Sequence, residues 1–228
     1  MAFKQRIKRL WADTLMRRSG PDRIGRLATW LATLDAAPYK ARVGIAHRYP
    51  KGYIAPSAQI AHNQLRRGKH VFIGDRVVIF QRHGAGPVEL GDYVELHQDC
   101  VIENGRGGSL RIGAGSGIQA RCQFSAYVAA IEIGRGVQIA PQCAFYPYDH
   151  GTAPAIPIRD QALTSRGPII IEDDAWLGFG TIVLSGVRIG AGAVIGAGSV
   201  VTRDIPAAAV AVGSPARVVK MRDEEPVV

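Results

Sequence analysis

Aromatic residues are scarce. They make up 7% of the 228 residues, although 47% of the chain is hydrophobic. A core cannot then be built from large rings and has to come from small and branched aliphatics. No apolar run approaches the ~18 residues of a membrane-spanning helix. The basic N-terminus is not followed by an uninterrupted apolar stretch, which argues against a secretory leader and for a cytoplasmic location. Cysteine is limited to three residues, and an odd count disfavours a disulfide framework. Acidic residues are short in one region only. Residues 1–51 hold Asp13, Asp22 and Asp35 against twelve Lys and Arg, which accounts for the whole formal charge of +9. The remaining chain has sixteen of each sign and is neutral. Its body therefore offers no basic track for nucleic acid.

What the chain has in abundance is Gly, at 27 residues, together with Ile and Val. From about residue 52 an apolar residue followed by a small one recurs every six positions. The clearest run is Ile171, Leu177, Val183, Ile189, Ile195 and Val201. Four places after these leaders come Ala175, Thr181, Val187, Ala193 and Ser199. A longer period lies over the first. Leu90, Ile112 and Ile133 each precede a Gly, at intervals of 22 and 21 residues, and Cys100, Cys122 and Cys143 each follow their leader by ten. One coil thus takes three hexapeptides plus three or four residues inserted at a corner. Earlier coils, marked by Ile54 and Ile60 and by Ile73 and Ile79, are weaker.

Six residues per face and three faces per coil predict a triangular prism of parallel strands ~4.8 Å apart. The leaders point inward, and the coils are stable only when stacked. Glycine tolerates positive φ at the corners. Three cysteines at equivalent places in stacked coils read as small core residues. The expected divisions are a basic helical segment over 1–50, the β-helix over 51–206 and a tail over 207–228.

In the N-terminal segment, Phe3, Ile7, Leu10, Trp11 and Leu15 have nearly helical spacing with basic residues between them. Ser19-Gly20-Pro21-Asp22 breaks the helix, and Asp22 caps a second one carrying Ile24, Leu27, Leu31 and Leu34 on one face, ended by Pro38. Two roles fit. One is a cap on the open end of the prism, basic side out. The other is peripheral contact with anionic lipid at the inner membrane face.

The repeat is interrupted conspicuously once, between Asp149-His150 and about Gly167. A long excursion from a regular solenoid is commonly functional. A His at its mouth titrates near neutrality and can serve as a general base, with a nearby carboxylate to orient it.

The segment Gly167–Lys220 contains Trp176-Leu177-Gly178, then Ile195-Gly196-Ala197-Gly198-Ser199-Val200-Val201-Thr202-Arg203-Asp204-Ile205-Pro206, then Gly213-Ser214-Pro215-Ala216-Arg217-Val218-Val219-Lys220. It resembles the C-terminal half of hexapeptide-repeat acetyltransferases, namely the galactoside, maltose and nodulation-factor O-acetyltransferases and the polysaccharide-modifying acetyltransferases. The specific resemblance spans about 140–220, and the repeat about 52–206. It implies an all-β, left-handed parallel β-helix with acetyl-CoA as co-substrate, no metal, and direct O-acetyl transfer to a sugar or saccharide hydroxyl. By position, His150 is the implied catalytic base, with Asp149 and Trp176 at the acceptor side. Gly178, Gly180, Ala197, Thr202, Arg203, Arg217 and Lys220 are the implied CoA contacts, with the two glycines bringing backbone amides to the pantetheine arm and Arg217 and Lys220 on a C-terminal turn facing the 3′-phosphate. Phe179 stands where the family often has Ser. A homotrimer with sites between adjacent prisms is implied too. Three alternatives remain: N-acetylation of an amino sugar or antibiotic, a γ-class carbonic anhydrase using three His ligands, and a non-catalytic scaffold.

Overall fold

The computed structural model describes residues 10–222. Its body is a prism of three parallel sheets, which the chain winds around as a left-handed β-helix of hexapeptide repeats. The expected leaders do line its axis. Ile171, Leu177, Val183, Ile189, Ile195 and Val201 are at most 1% exposed, as are Ile102, Ile112, Ile118, Phe124, Ile139 and Phe145. Each coil places its leader beside the leader of the next: Leu96 beside Ile118, Ile118 beside Ile139, Ile139 beside Leu177. The residues four places on, from Ala175 to Ser199, are buried as a second inward row. The cysteines are free thiols in the core. Hydrogen bonding to Cys100 and burial push the Cys122 thiol up to about 12, and the Cys143 thiol is raised by Cys122 and by burial.

The corners differ from the expectation in one respect. At nearly every corner of six-residue spacing the left-handed residue falls three places after the leader. Gly115, Gly136, Gly180, Gly186, Gly192 and Gly198 hold it at some corners, but Arg76, Asp99, Arg121, Gln142 and Asp174 hold it at others. The short coil geometry imposes the conformation, and glycine only eases it.

The inserted residues all lie at one corner, between the second and third faces. Ile79 is eleven residues from Leu90, Ile102 ten from Ile112, and Phe124 nine from Ile133. Second-face strands lengthen there, to five residues in Val101–Gly105 and Gln123–Tyr127. Between Phe145 and Ile171 the same corner takes 26 residues. Above it, Val183 and Ile189 return to a spacing of six.

Both ends carry added elements. At the upper end the first face continues past residue 206. Ala209–Gly213 pairs in parallel with Val194–Ile195 and then in antiparallel with Ala216–Met221. The expected tail is thus a hairpin of the first sheet. At the lower end, residues 10–16 form helix α1, Arg23–Ala32 form α2 and Val43–Arg48 form α3. Asp22 caps α2, accepting from the Gly25 amide at 3.0 Å. Phe3 and Ile7 lie outside the described residues. α2 turns Gly25, Ala28 and Thr29 inward, while Arg26 donates to Pro56 O at 2.8 Å. Its apolar stripe is turned to solvent: Ile24, Leu27 and Trp30 are all more than half exposed, as is Leu34, which lies in the turn after Ala32 and not on the helix as expected. The two roles considered for this segment are therefore both compatible with how it sits. Among the described residues, no helix is long and apolar enough to cross a membrane.

Candidate active site

The excursion leaves the corner after Ala144–Tyr146 and immediately folds back on itself. Asp149–His150 pairs in antiparallel with Leu163–Thr164, so both residues sit at the root of a small hairpin. Gln161 closes the loop above them. It accepts from the Ala153 amide at 2.8 Å and donates to Ala153 O at 3.0 Å and Ile156 O at 2.7 Å. The hairpin is tied to the prism through Asp149. The hydroxyl of Ser185, 1% exposed, donates to Asp149 Oδ2 at 2.7 Å and accepts from Arg166 Nε at 3.4 Å. A hydrogen bond to a carboxylate is among the stronger ones, and this one spans 36 positions of sequence. The carboxylate thus anchors the strand that carries His150 instead of the imidazole ring. His150 itself is exposed.

The corner insertions build a ledge next to this root. Tyr127 pairs with Gly105 across the long second-face strands. A Cβ on Gly105 would lie 2.6 Å from the Tyr127 ring, so the ring needs glycine beneath it. Tyr148, two residues before His150, packs near Tyr127 (5.7 Å between centroids) and Tyr146 (6.1 Å). The Tyr148 hydroxyl is 3.2 Å from Ser125 Oγ, and Tyr146 donates to Gln123 Oε1 at 3.0 Å. Arg82 bonds Glu103 and lies 6.0 Å from the Tyr127 ring centre. A shallow cavity of about 220 Å³ opens here, lined by Glu103, Gln123, Ser125, Tyr146 and Tyr148 among others. Burial raises the phenols of Tyr127 and Tyr146 above the usual tyrosine range, so at neutral pH they are hydrogen-bonding groups and not charges. The Tyr127 hydroxyl is buried without a partner. Sequence reasoning passed over these residues, because outward-facing tyrosines have no period. The shrinking series of corner spacings was the available signal.

The other expected residues lie elsewhere. Trp176 is half exposed on the first face, beside Gln138 and Val194. Gly178 and Gly180 follow at the next corner. Both amides are already engaged, Gly178 donating to Ile195 O at 2.7 Å and Gly180 to Pro141 O at 3.0 Å. They cannot be aimed at a ligand as expected. Gly178 instead allows close stacking, since a Cβ there would sit 2.6 Å from the Ala197 amide nitrogen. Ala197 and Arg203 are exposed, and Thr202 is half-buried. Arg217 and Lys220 lie on the hairpin strand and not on a turn. Three residues apart, they would normally point to opposite sides. The register shift between Val210 and Ala211 adds one residue to their strand, so Arg217 faces Val212 and Lys220 faces Val210. The bulge therefore puts both cations on one side. Among the described residues, no group of three or more His, Cys, Asp and Glu is placed to hold a metal ion.

One chain thus carries two separate sets. His150 and the tyrosine ledge stand at the second corner, while Trp176 and the glycines belong to the first face and its corner, which the hairpin with Arg217 and Lys220 continues.

Residues 168–203 match the bacterial transferase hexapeptide family, described as six repeats. A Schizosaccharomyces pombe protein carrying an acetyltransferase name is 43% identical over 102 residues, 43% of this chain and 46% of its own. A Mycobacterium tuberculosis protein also named for acetyl transfer is 35% identical over 160 residues, 70% of this chain and 45% of its own. The chain thus spans less than half the length of either relative. The N-acyltransferase AntD of Bacillus cereus, solved with dTDP and 3-hydroxybutyryl-CoA, is 22% identical, with a TM-score of 0.53 over 72% of this chain and 82% of that one. At that identity the likeness is one of fold. By its repeat and its prism the chain is a left-handed β-helix of hexapeptide repeats, and its segment 168–203 is similar to the bacterial transferase hexapeptide family.

Proposed function

We propose that the protein transfers an acetyl group from acetyl-CoA to a hydroxyl of a sugar or saccharide, directly, with His150 as general base. The observation that carries this reading is the placement of His150. It stands on a strand pinned to the prism through Asp149 and Ser185, two residues from a ledge of tyrosines and neutral polar groups. Aromatic faces with hydroxyl and amide groups around them suit a saccharide, whose hydroxyls need hydrogen-bond partners and whose C–H faces need a flat apolar surface. The Arg82–Glu103 pair leaves the ledge without net charge.

In this scheme His150 takes the proton of the acceptor hydroxyl as its oxygen attacks the thioester carbonyl. The C–S bond then breaks, and the imidazolium returns the proton to the departing sulfur. No cysteine takes part, because all three are buried in the core. Acetyl-CoA lies along Trp176, Gly178, Gly180, Ala197, Thr202 and Arg203, with Arg217 and Lys220 at its phosphates. Cations fixed on one side of a strand suit a phosphate group. The two sets of one chain sit at different corners, so a homotrimer in which one prism supplies His150 and its neighbour supplies Trp176 completes the site.

A second reading, N-acetylation of a nucleotide-linked amino sugar, is favoured by the fold shared with AntD, and His150 serves an amine equally well. The test compares wild type with His150→Ala on hydroxyl and amine acceptors. A positioned base contributes ~10²–10⁴-fold, so turnover should fall by that factor while binding of acetyl-CoA and the melting temperature hold. Near-normal transfer by the folded variant would remove His150 from the chemistry. A strong preference for amines would select the second reading.

A further inference from the structure

The lower end of the prism presents a surface that neither its core nor the proposed chemistry uses. α2 has its small residues against the body and its large ones outside. At 100° per residue, Ile24, Leu27, Trp30 and Leu31 fall within an arc of roughly 120°, and Leu34 follows in the turn after the helix. Four of these are 52–70% exposed, and Leu10 and Trp11 of α1 are 61% and 57% exposed. The two helices form one patch, because Trp11, Leu31 and Leu34 line a common groove of about 450 Å³ with Ile45 and Tyr49. Monomeric proteins seldom leave so many large apolar side chains together in water, and such patches mark interaction sites.

The helices are held firmly in this attitude. Tyr49 bonds Asp13, Lys51 Nζ donates to Arg17 O at 2.7 Å, and Arg26 holds Pro56. Turning the patch inward would break these contacts.

The charge around the patch identifies its partner. Residues 1–51 carry the entire net charge of the protein. Arg17, Arg18, Arg23 and Arg48 are exposed in the same segment. Two of its acidic residues are occupied, Asp13 by Tyr49 and Asp22 by the α2 amide. A second copy docking through this face would bring like charges together. An anionic bilayer instead offers acyl chains for the leucines, an interface for the tryptophans and phosphates for the arginines. We infer that α1 and α2 seat this protein on an anionic lipid surface, with the prism standing away from it. This inference does not depend on the acetyl-transfer reading.

The test is flotation of the full chain with vesicles of phosphatidylglycerol and phosphatidylcholine, against vesicles of phosphatidylcholine alone. Wild type should float with the first and not the second, and added salt should weaken it. Leu27→Glu with Trp30→Glu should lower partitioning at least about tenfold, since two buried apolar side chains are lost. Arg17→Glu with Arg18→Glu should lower it by a similar factor, at roughly fivefold per cation removed. All four side chains are exposed, so the melting temperature should hold. Brominated lipid should also quench wild-type fluorescence from Trp11 and Trp30, a readout that needs no variant. Wild type that ignores anionic vesicles, or variants that bind them equally, would overturn the inference. So would a larger assembly in solution that the Leu27 and Trp30 changes break while vesicles bind nothing, which would assign the patch to a second copy.

Discussion

Two neighbouring glycines, Gly178 and Gly180, should respond to the same substitution for different reasons. Gly178→Ala puts a Cβ 2.6 Å from Ala197 N and 2.8 Å from Ile195 O, the oxygen that its own amide bonds at 2.7 Å. Ordinary contact begins near 3.4 Å, so the coil above must lift by more than half an ångström or the ladder bond must lengthen. Overpacking of this kind costs about 1–3 kcal/mol, and a weakened backbone bond adds roughly 0.5–1.5. A net loss of about 2–3 kcal/mol corresponds to a fall in Tm of roughly 4–12 °C for a chain of this size. Gly180→Ala meets nothing within 4 Å and only has to hold a φ of +68°. A left-handed alanine costs about 1–2 kcal/mol, and the stiffer unfolded chain offsets about 0.4–1 of that. Its Tm should drop by a few degrees at most. Thermal unfolding of wild type and both variants, followed by circular dichroism and calorimetry, makes the comparison. If Gly178→Ala melts with wild type, or if Gly180→Ala is the worse of the two, then coil spacing is not set by contact at this glycine and the stacking argument fails.

The cysteines should be inert in the folded protein. With Cys122 at about 12 and Cys143 also raised, a disulfide-exchange reagent at mildly alkaline pH should find almost no thiol until denaturant is added and then find three. Rapid native labelling would contradict the inward column. Stability should also fall on acidification. Burial lowers the His62 pKa, its hydrogen bond to His97 lowers Glu95, and its pair with Arg76 lowers Asp99. A depressed group contributes stability above its unfolded pKa and loses it as pH drops through the folded value. The denaturation midpoint should therefore decline first below about pH 6.5 through His62, and again below about pH 4.5 through the two carboxylates. His62→Gln should abolish the first decline alone. A midpoint that stays flat from neutrality to about pH 5 in wild type would refute the His62 assignment.

The β-helix was legible in the sequence because one physical requirement repeats: every sixth side chain has to enter the axis, from Ile54 to Val201. The final hairpin was not, because Ala209 and Ala211 are inward residues of an ordinary alternating strand and the six-residue count stops before them. The apolar stripe of α2 was visible, but its direction was not. Amphipathic patterns say which residues share a face and leave open what that face meets. Here the body takes the Gly25, Ala28 and Thr29 side. At the candidate site, His150 stood out as the edge of a break in period. Ser185 and Tyr127 did not, since only the stacking register brings them to Asp149 and Tyr148, 36 and 21 positions away.

The same register bears on how such a site can change. The long loop after His150 is the largest of four additions to a single corner, each resting on the one below. The axial residues fix the coils whatever that corner carries, as the regular spacing from Val183 to Ile189 directly above the loop demonstrates. Length and side chains at this edge can therefore drift over generations without disturbing the foundation. The prism thus separates a margin that is free to vary from a core that is not.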